Sequence, residues 1–264
     1  MEDWVHPQKE VVLEVKGLCK FFGGIKAVNG VDFKVYEREI VGIVGDNGAG
    51  KSTLIKILSG VYEKTAGQIF VHGQEVEIKN PSDARKMGIE TVYQDQGLIP
   101  IFDAASNLFL GREKLRDDVF GRFFKLVDDR FMLQETNRVL NALGVDIKDV
   151  RSKTLYLSGG QRQTVAIGRA VYWKGKILIF DEPTNNLGVK QERNVLDLIK
   201  RIRDELGASI IIISHNIAHI FEVVDRIIVL RNGEKVGERL KTETNPAEVV
   251  AMITGVNETR LERI

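Results

Sequence analysis

The sequence predicts an α/β fold in which a buried parallel sheet is joined to an antiparallel β section and interrupted by a helical insert. Three observations carry that expectation. EIVGIVG (39–45), KILIF (176–180) and SIIIIS (209–214) are near-continuous apolar runs, the pattern of parallel strands covered on both faces. EVVLEVK (10–16) and VDFKVYE (31–37) instead alternate apolar and polar residues, as half-buried antiparallel strands do. Between residues 100 and 155 the strand-like runs vanish and helical patterns replace them.

Taken in order, the alternating segments open the chain, and the first buried strand leads directly into GDNGAGKST (45–53) and the helical pattern STLIKILSG. NLFLGREKL (107–115) and RFMLQETNRVLNALG (130–144) read as helices of the insert, the second stopped by Gly144. RIIVLRNGEKVGE (226–238) places Asn232-Gly233 between two strand-like runs, a hairpin turn. Asn245-Pro246 then opens a last helix as cap and first position.

Composition narrows the function. The 38 basic side chains balance 37 acids, so the net charge of +1 gives no global field for gripping nucleic acid or an anionic membrane. The single cysteine, Cys19, makes no internal disulfide and fits a reducing compartment. The N-terminal MEDWVHPQKE lacks the basic start and apolar stretch of a signal peptide. No run reaches the roughly 20 apolar residues of a membrane-spanning helix, so a soluble or peripheral protein is expected.

GDNGAGKST fits G-x-x-x-x-G-K-[ST], in the strand-to-helix context that motif demands. Gly45, Asn47, Gly48, Ala49, Gly50 and Thr53 would wrap backbone N–H groups around phosphate oxygens, and the helix N-terminus adds positive potential. Lys51 would reach the β- and γ-phosphates, and Ser52 would ligate magnesium. KILIFDEPT delivers Asp181 and Glu182 to the C-terminal end of a buried strand, where open α/β sheets bind ligands. Asp181 would hold magnesium through its water shell, and Glu182 would polarise the water that attacks the γ-phosphate.

YLSGGQRQ (156–163) is a second glycine-rich helix start, and it has no lysine. Ser158 and Gln161 stand at the spacing of a capping box, which by itself would only begin a helix. A capping box does not need Gly159 and Gly160, however. Two glycines there let an anion approach the backbone closely, and with the chain's own phosphates already cradled, that anion would be a nucleotide held by another chain.

GDNGAGKST, LSGGQ and ILIFDEPT, in that order, resemble the nucleotide-binding subunit of an ABC transporter, and the likeness runs from about residue 10 to 255. The resemblance implies an α/β P-loop NTPase (ABC ATPase) core with an antiparallel β subdomain and an inserted helical subdomain. It implies a head-to-tail pair of such domains sandwiching two ATP molecules, with Ser158, Gly159, Gly160 and Gln161 contacting the partner's nucleotide. Gln94 in TVYQD resembles the glutamine that joins the catalytic and metal site to the helical lobe and membrane subunit. His215 looks like the histidine that contacts the γ-phosphate, and Phe22 in KFFG like the aromatic that stacks on adenine, with Phe21 the alternative. His6, His72 and His219 are read as ordinary histidines.

The resemblance also implies boundaries and partners. One nucleotide-binding domain spans 1–264, with ATPase core and β subdomain at about 10–97 and 162–240, a helical subdomain bearing LSGGQ at about 98–161, and a C-terminal helix and tail at 241–264. ATP and Mg2+ are the expected ligands. The expected partners are a second nucleotide-binding domain of the same or a related chain, membrane-spanning permease subunits and, indirectly, a solute-binding protein, at the cytoplasmic face of the membrane.

Segments 60–76, 80–100 and 107–113 resemble the ATPases of bacterial monosaccharide importers of the ribose, xylose and galactose type, most of which carry two such halves in one chain. One stretch departs from the family: after EPT it usually reads S-A-L-D, whereas Asn185, Asn186, Leu187 and Gly188 stand here. That leaves a weakly hydrolysing or non-catalytic regulatory subunit as the alternative, along with an importer for another small solute. A DNA-repair or chromosome-structure ATPase would need long heptads between 52 and 155, and none are there.

Overall fold

The computed structural model describes residues 9–145, 147 and 149–256, and the chain divides into two compact units. In chain order the elements are β1 (Val11–Phe22), β2 (Ile25–Tyr36), β3 (Ile40–Val44), α1 (Lys51–Leu58), β4 (Ala66–Val71), β5 (Gln74–Glu75), α2 (Pro81–Lys86), β6 (Ile89–Val92), α3 (Ala104–Leu108), α4 (Val119–Phe124), α5 (Asp129–Ala142), α6 (Gly159–Tyr172), β7 (Ile177–Asp181), α7 (Val189–Leu206), β8 (Ser209–Ile213), α8 (Ile217–Val223), β9 (Arg226–Arg231), β10 (Glu234–Leu240) and α9 (Pro246–Thr254).

The first unit holds residues up to 91, 175–182 and from 199 onward. Its central sheet runs β10-β9-β3-β8-β7-β6, with β9, β3, β8 and β7 mutually parallel and β10 antiparallel to β9. Every residue of β3, β7 and β8 is buried, as their unbroken apolar runs require. A second, antiparallel sheet runs β2-β1-β4-β5. The chain is thus an α/β protein with an antiparallel β section, as its periodicities predict. A buried ion pair ties the two β regions: Arg226 donates to both Glu39 oxygens at 2.8 Å and to the Lys34 carbonyl at 2.7 Å.

The second unit holds residues 92–174 and 183–198. Ala104, Leu140, Ile147, Val150, Leu157 and Val165 form a core between its helices. Its second anchor is aromatic: Phe109 meets the rings of Tyr172, Trp173 and Phe131 edge-on at 4.9, 5.7 and 6.4 Å.

Short polar residues set the helix starts. Asn80, Asp103, Asp128, Ser158, Asn216 and Asn245 each accept a backbone N–H of the first turn. Asn232 (φ 51°) and Gly233 (φ 82°) make the expected hairpin turn, with Arg231 facing Glu234. One expectation is corrected. The segment 107–115 is not a helix: α3 stops at Leu108, Gly111 is left-handed at φ 72°, and Arg112 N donates to Phe109 O at 2.7 Å. The apolar residues that suggested one continuous face are divided, since Leu108 and Phe109 enter the unit's core while Leu115 pairs with Val127 in a short bridge.

Candidate functional site

The loop between β3 and α1 belongs to the first unit and is built so that only glycine fits at two of its positions. A Cβ on Gly50 would lie 2.4 Å from the Ala27 carbonyl oxygen, and one on Gly45 would lie 2.2 Å from that of Leu230. Gly50 also sits at φ 101°, a region that side chains disfavour. As N-cap of α1 it supplies no side-chain acceptor, and the helix has no acid in its first turn. The donors of that turn are therefore left for a ligand.

Lys51 bends back so that its ammonium donates to Gly45 O at 2.7 Å and Asp46 O at 2.9 Å. Burial lowers its pKa from the ordinary lysine range, and the charges of Glu182, Asp46 and Asp181 oppose that shift. A cation thus stands desolvated beside the loop, facing the carboxylates that end β7. Asp46, Asn47, Gly48 and Ser52 are exposed, Thr53 is half-buried and Ala49 is buried.

Asp181 closes β7 and is buried, while Glu182 follows at φ 51°, a left-handed conformation costing a non-glycine residue about 1–3 kcal/mol. Its N–H donates to Ile213 O at 2.9 Å, which aligns it with the end of β8. Its carboxylate accepts from His215 N at 3.0 Å and sits 2.9 Å from His215 Nδ1. An ionised carboxylate only accepts, so the Nδ1–H of His215 is the donor in this pair. Glu182 is mostly buried and His215 mostly exposed, so the pair joins a desolvated base to a reachable imidazole.

At the end of β1, Phe22 is exposed and meets the Tyr62 ring edge-on at 5.2 Å, with the Lys20 ammonium 5.1 Å from its ring centre. Phe21 is less exposed, and its N–H donates to Thr65 Oγ1 at 3.0 Å. Phe22 is therefore the more exposed of the two phenylalanines. His72 meets Glu10 at 3.3 Å, and His219 donates its N–H to the Asn216 cap of α8. His6 lies outside the described residues.

In the second unit, Ser158 and Gln161 form a complete capping box: Gln161 N donates to Ser158 Oγ at 3.3 Å, and Ser158 N to Gln161 Oε1 at 3.0 Å. The Gln161 side chain is thereby engaged with its own helix. Gly159 and Gly160 have a packing role besides any anion approach, because added Cβ atoms would meet Leu187 Cδ2 at 3.3 Å and Gln191 Cγ at 3.0 Å. The segment with Gly188, where a Cβ would lie 2.6 Å from Gln191 Oε1, thus leans on the LSGGQ helix start. Gln94 is exposed in the loop after β6, and Arg169 of α6 donates to Gly97 O (2.9 Å) and Gln96 O (3.4 Å) just beyond it.

Sequence patterns missed three supports. Gly233, read only as a turn, donates to Ala49 O at 3.1 Å and accepts from Asn29 N at 2.8 Å, so the hairpin tip buttresses the phosphate-loop residues. Arg169 braces the Gln94 loop. Asn107, fully buried, accepts Ile99 N at 2.7 Å and donates to the Ile99, Phe102 and Asp103 carbonyls, fixing the chain on which Thr154 rests. The only advance signal was a polar residue inside an apolar helical pattern.

The donors suit a hard cation: a serine hydroxyl and a carboxylate lie in the first unit, and among the described residues no three His, Cys, Asp or Glu side chains gather into a metal cage. Mg2+ prefers such sparse oxygen ligation, with the rest supplied by water and phosphate.

Fold and loop together define a P-loop nucleotide-binding protein of the α/β class. The family model described as "ABC transporter" matches residues 28–185. The chain is 42% identical over 243 residues to the xylose/arabinose import ATP-binding protein XylG of Sulfolobus acidocaldarius, covering 92% of this chain and 94% of that one. It is 40% identical to the fructose import ATP-binding protein FrcA of Rhizobium meliloti, covering 97% and 98%. A bacterial ABC transporter cassette solved as a dimer superposes with a TM-score of 0.73 at 25% identity, covering 87% of this chain and 98% of that one. The chain belongs to the ABC transporter family, as an ATP-binding subunit that hydrolyses ATP.

Proposed function

We propose that this chain powers the import of a monosaccharide, and that two copies face head to tail around two ATP molecules. The observation that carries the catalytic part is the Glu182–His215 pair, held beside the desolvated Lys51 at the mouth of the phosphate loop. Phe22 stacks on adenine, and the loop from Gly45 to Thr53 wraps the phosphates. Lys51 leaves its own carbonyls for the β- and γ-phosphates. Ser52 and Asp181, both in the first unit, would hold Mg2+, which would neutralise phosphate charge when bound.

Glu182 accepts a proton from water as the water oxygen bonds to the γ-phosphorus and the bond to the β-phosphate oxygen breaks. His215 contacts the γ-phosphate. Ser158, Gly159 and Gly160 close on the partner's nucleotide, with Gln161 holding their helix in shape. The sugar reading rests on the imports named for the two relatives, which span nearly the whole chain and differ in their sugar.

In this reading one domain acts from the cytoplasmic face of the membrane, peripherally. Among the described residues no helix is long and apolar enough to cross a membrane. The lobe at about 98–161 passes motion to permease subunits, and a solute-binding protein delivers the sugar. Reconstitution with the permease tests it. ATP-driven monosaccharide uptake that stops with Glu182→Gln supports the reading, and uptake unaffected by that change refutes it.

A further inference from the structure

Phe22 stands at the tip of the β1–β2 hairpin, where the hairpin itself gives its ring little support. It is 41% exposed, its cross-strand partner Ile25 is 70% exposed, and Gly23, left-handed at φ 57°, and Gly24 complete the turn. Left to the hairpin alone, a phenyl ring so placed would exchange rotamers, and a base stacking on it would first have to immobilise it. The ring is braced from outside the hairpin: Tyr62, half-buried, meets it edge-on at 5.2 Å.

Tyr62 is in turn fixed to the helix that begins at the phosphate loop. The N–H groups of Val61 and Tyr62 both donate to Lys56 O in the last turn of α1, at 2.8 and 2.9 Å. The Lys56 ammonium lies over the Tyr62 ring, 5.4 Å from its centre. Because α1 starts at Lys51, the Tyr62 ring is carried on the same element whose first turn leaves its donors for a ligand. All of these residues belong to the first unit.

The segment after Tyr62 is tied to the end of β1. Lys20 Nζ donates to Glu63 O at 2.7 Å, Thr65 N to Cys19 O at 2.8 Å, and Phe21 N to Thr65 Oγ1 at 3.0 Å. The Lys20 ammonium also stands over both rings, 5.1 Å from the centre of Phe22 and 5.8 Å from that of Tyr62, which adds cation–π attraction to the pair. Those backbone bonds hold the loop against the hairpin whatever side chain stands at 62. What the Tyr62 ring adds is a fixed place for the Phe22 ring relative to α1.

We propose that Tyr62 is a positioning residue for the nucleotide base: it holds the Phe22 ring at a set place relative to the phosphate loop, so that base and phosphates are met together. This role rests on the reading that Phe22 stacks on adenine, and it deepens that reading with a residue that acts through Phe22. A side chain that only filled space at 62 would alter the binding of base-bearing and base-free ligands alike, or of neither. A ring that positions the base alters the first alone.

The experiment is equilibrium binding of ATP and of tripolyphosphate, which has no base, each with magnesium, to the full chain. Tyr62→Leu binds ATP about fivefold more weakly and tripolyphosphate as the wild type does, which also shows that its phosphate loop is intact. Tyr62→Phe, which keeps the ring, binds both ligands like the wild type. Phe22→Ala weakens ATP binding on the order of tenfold, and adding Tyr62→Leu to it costs nothing further.

Wild-type ATP affinity in Tyr62→Leu beside a weakened Phe22→Ala overturns the role of Tyr62 and leaves Phe22 on adenine. Wild-type ATP affinity in Phe22→Ala overturns both. A Tyr62→Leu chain that loses tripolyphosphate as much as ATP also overturns the proposal, because position 62 then supports the phosphate loop rather than the base. So does a Tyr62→Phe chain as weak as Tyr62→Leu, because the ring is then not what matters.

Discussion

Two glycine-rich helix starts, at α1 and at α6, look alike in the sequence and are built oppositely. The α1 start has no side-chain cap, and Gly45 and Gly50 are enforced by carbonyls that would collide with any Cβ. Its cation is folded back onto the loop. The α6 start satisfies two of its donors, Ser158 N and Gln161 N, through the Ser158–Gln161 box, and its glycines admit the 187–191 segment. One start is shaped around bare backbone donors; the other is capped by its own side chains.

Substitutions can break that contrast or sharpen it. Glu182→Gln, which removes the base beside the first start, should cut turnover roughly 10²- to 10⁴-fold while ATP affinity is kept, measured by steady-state hydrolysis and equilibrium binding. Ser158→Arg should lower turnover on the order of 10²-fold with the isolated chain's ATP affinity unchanged. Lost affinity would instead place Ser158 at the chain's own nucleotide.

Gly233→Val forces a branched side chain to φ 82° and a Cβ to 2.8 Å from Lys26 O. It should weaken ATP binding about tenfold by tilting the loop it supports, following the cost of such strain. Unchanged affinity would make the hairpin a bystander. Ser158→Ala, the mildest change, removes one half of the capping box and should cost about 1 kcal/mol of stability in thermal or urea unfolding, with ATP affinity intact.

The buried strands were legible because continuous apolar runs have few other uses, and GDNGAGKST because its chemistry lies within nine consecutive residues. Asp181 and Glu182 were legible from their place at a strand end. The Gly233 support was not, since a turn glycine carries no mark of the loop that its N–H meets. Asn107 hid inside a helical pattern, and 107–115 misled because apolar residues serving two different packings can share helical spacing. The pairing of Glu182 with His215 depends on β7 and β8 being neighbours, which pairwise spacing in one chain does not encode.

The most direct test of the central claim, that the second helix start completes a site on another chain, is the solution mass of Glu182→Gln with and without ATP and magnesium. The account predicts a doubling with ATP that disappears when Ser158→Arg is added. A chain that stays monomeric with ATP demonstrably bound, or a dimer indifferent to Ser158→Arg, would contradict it.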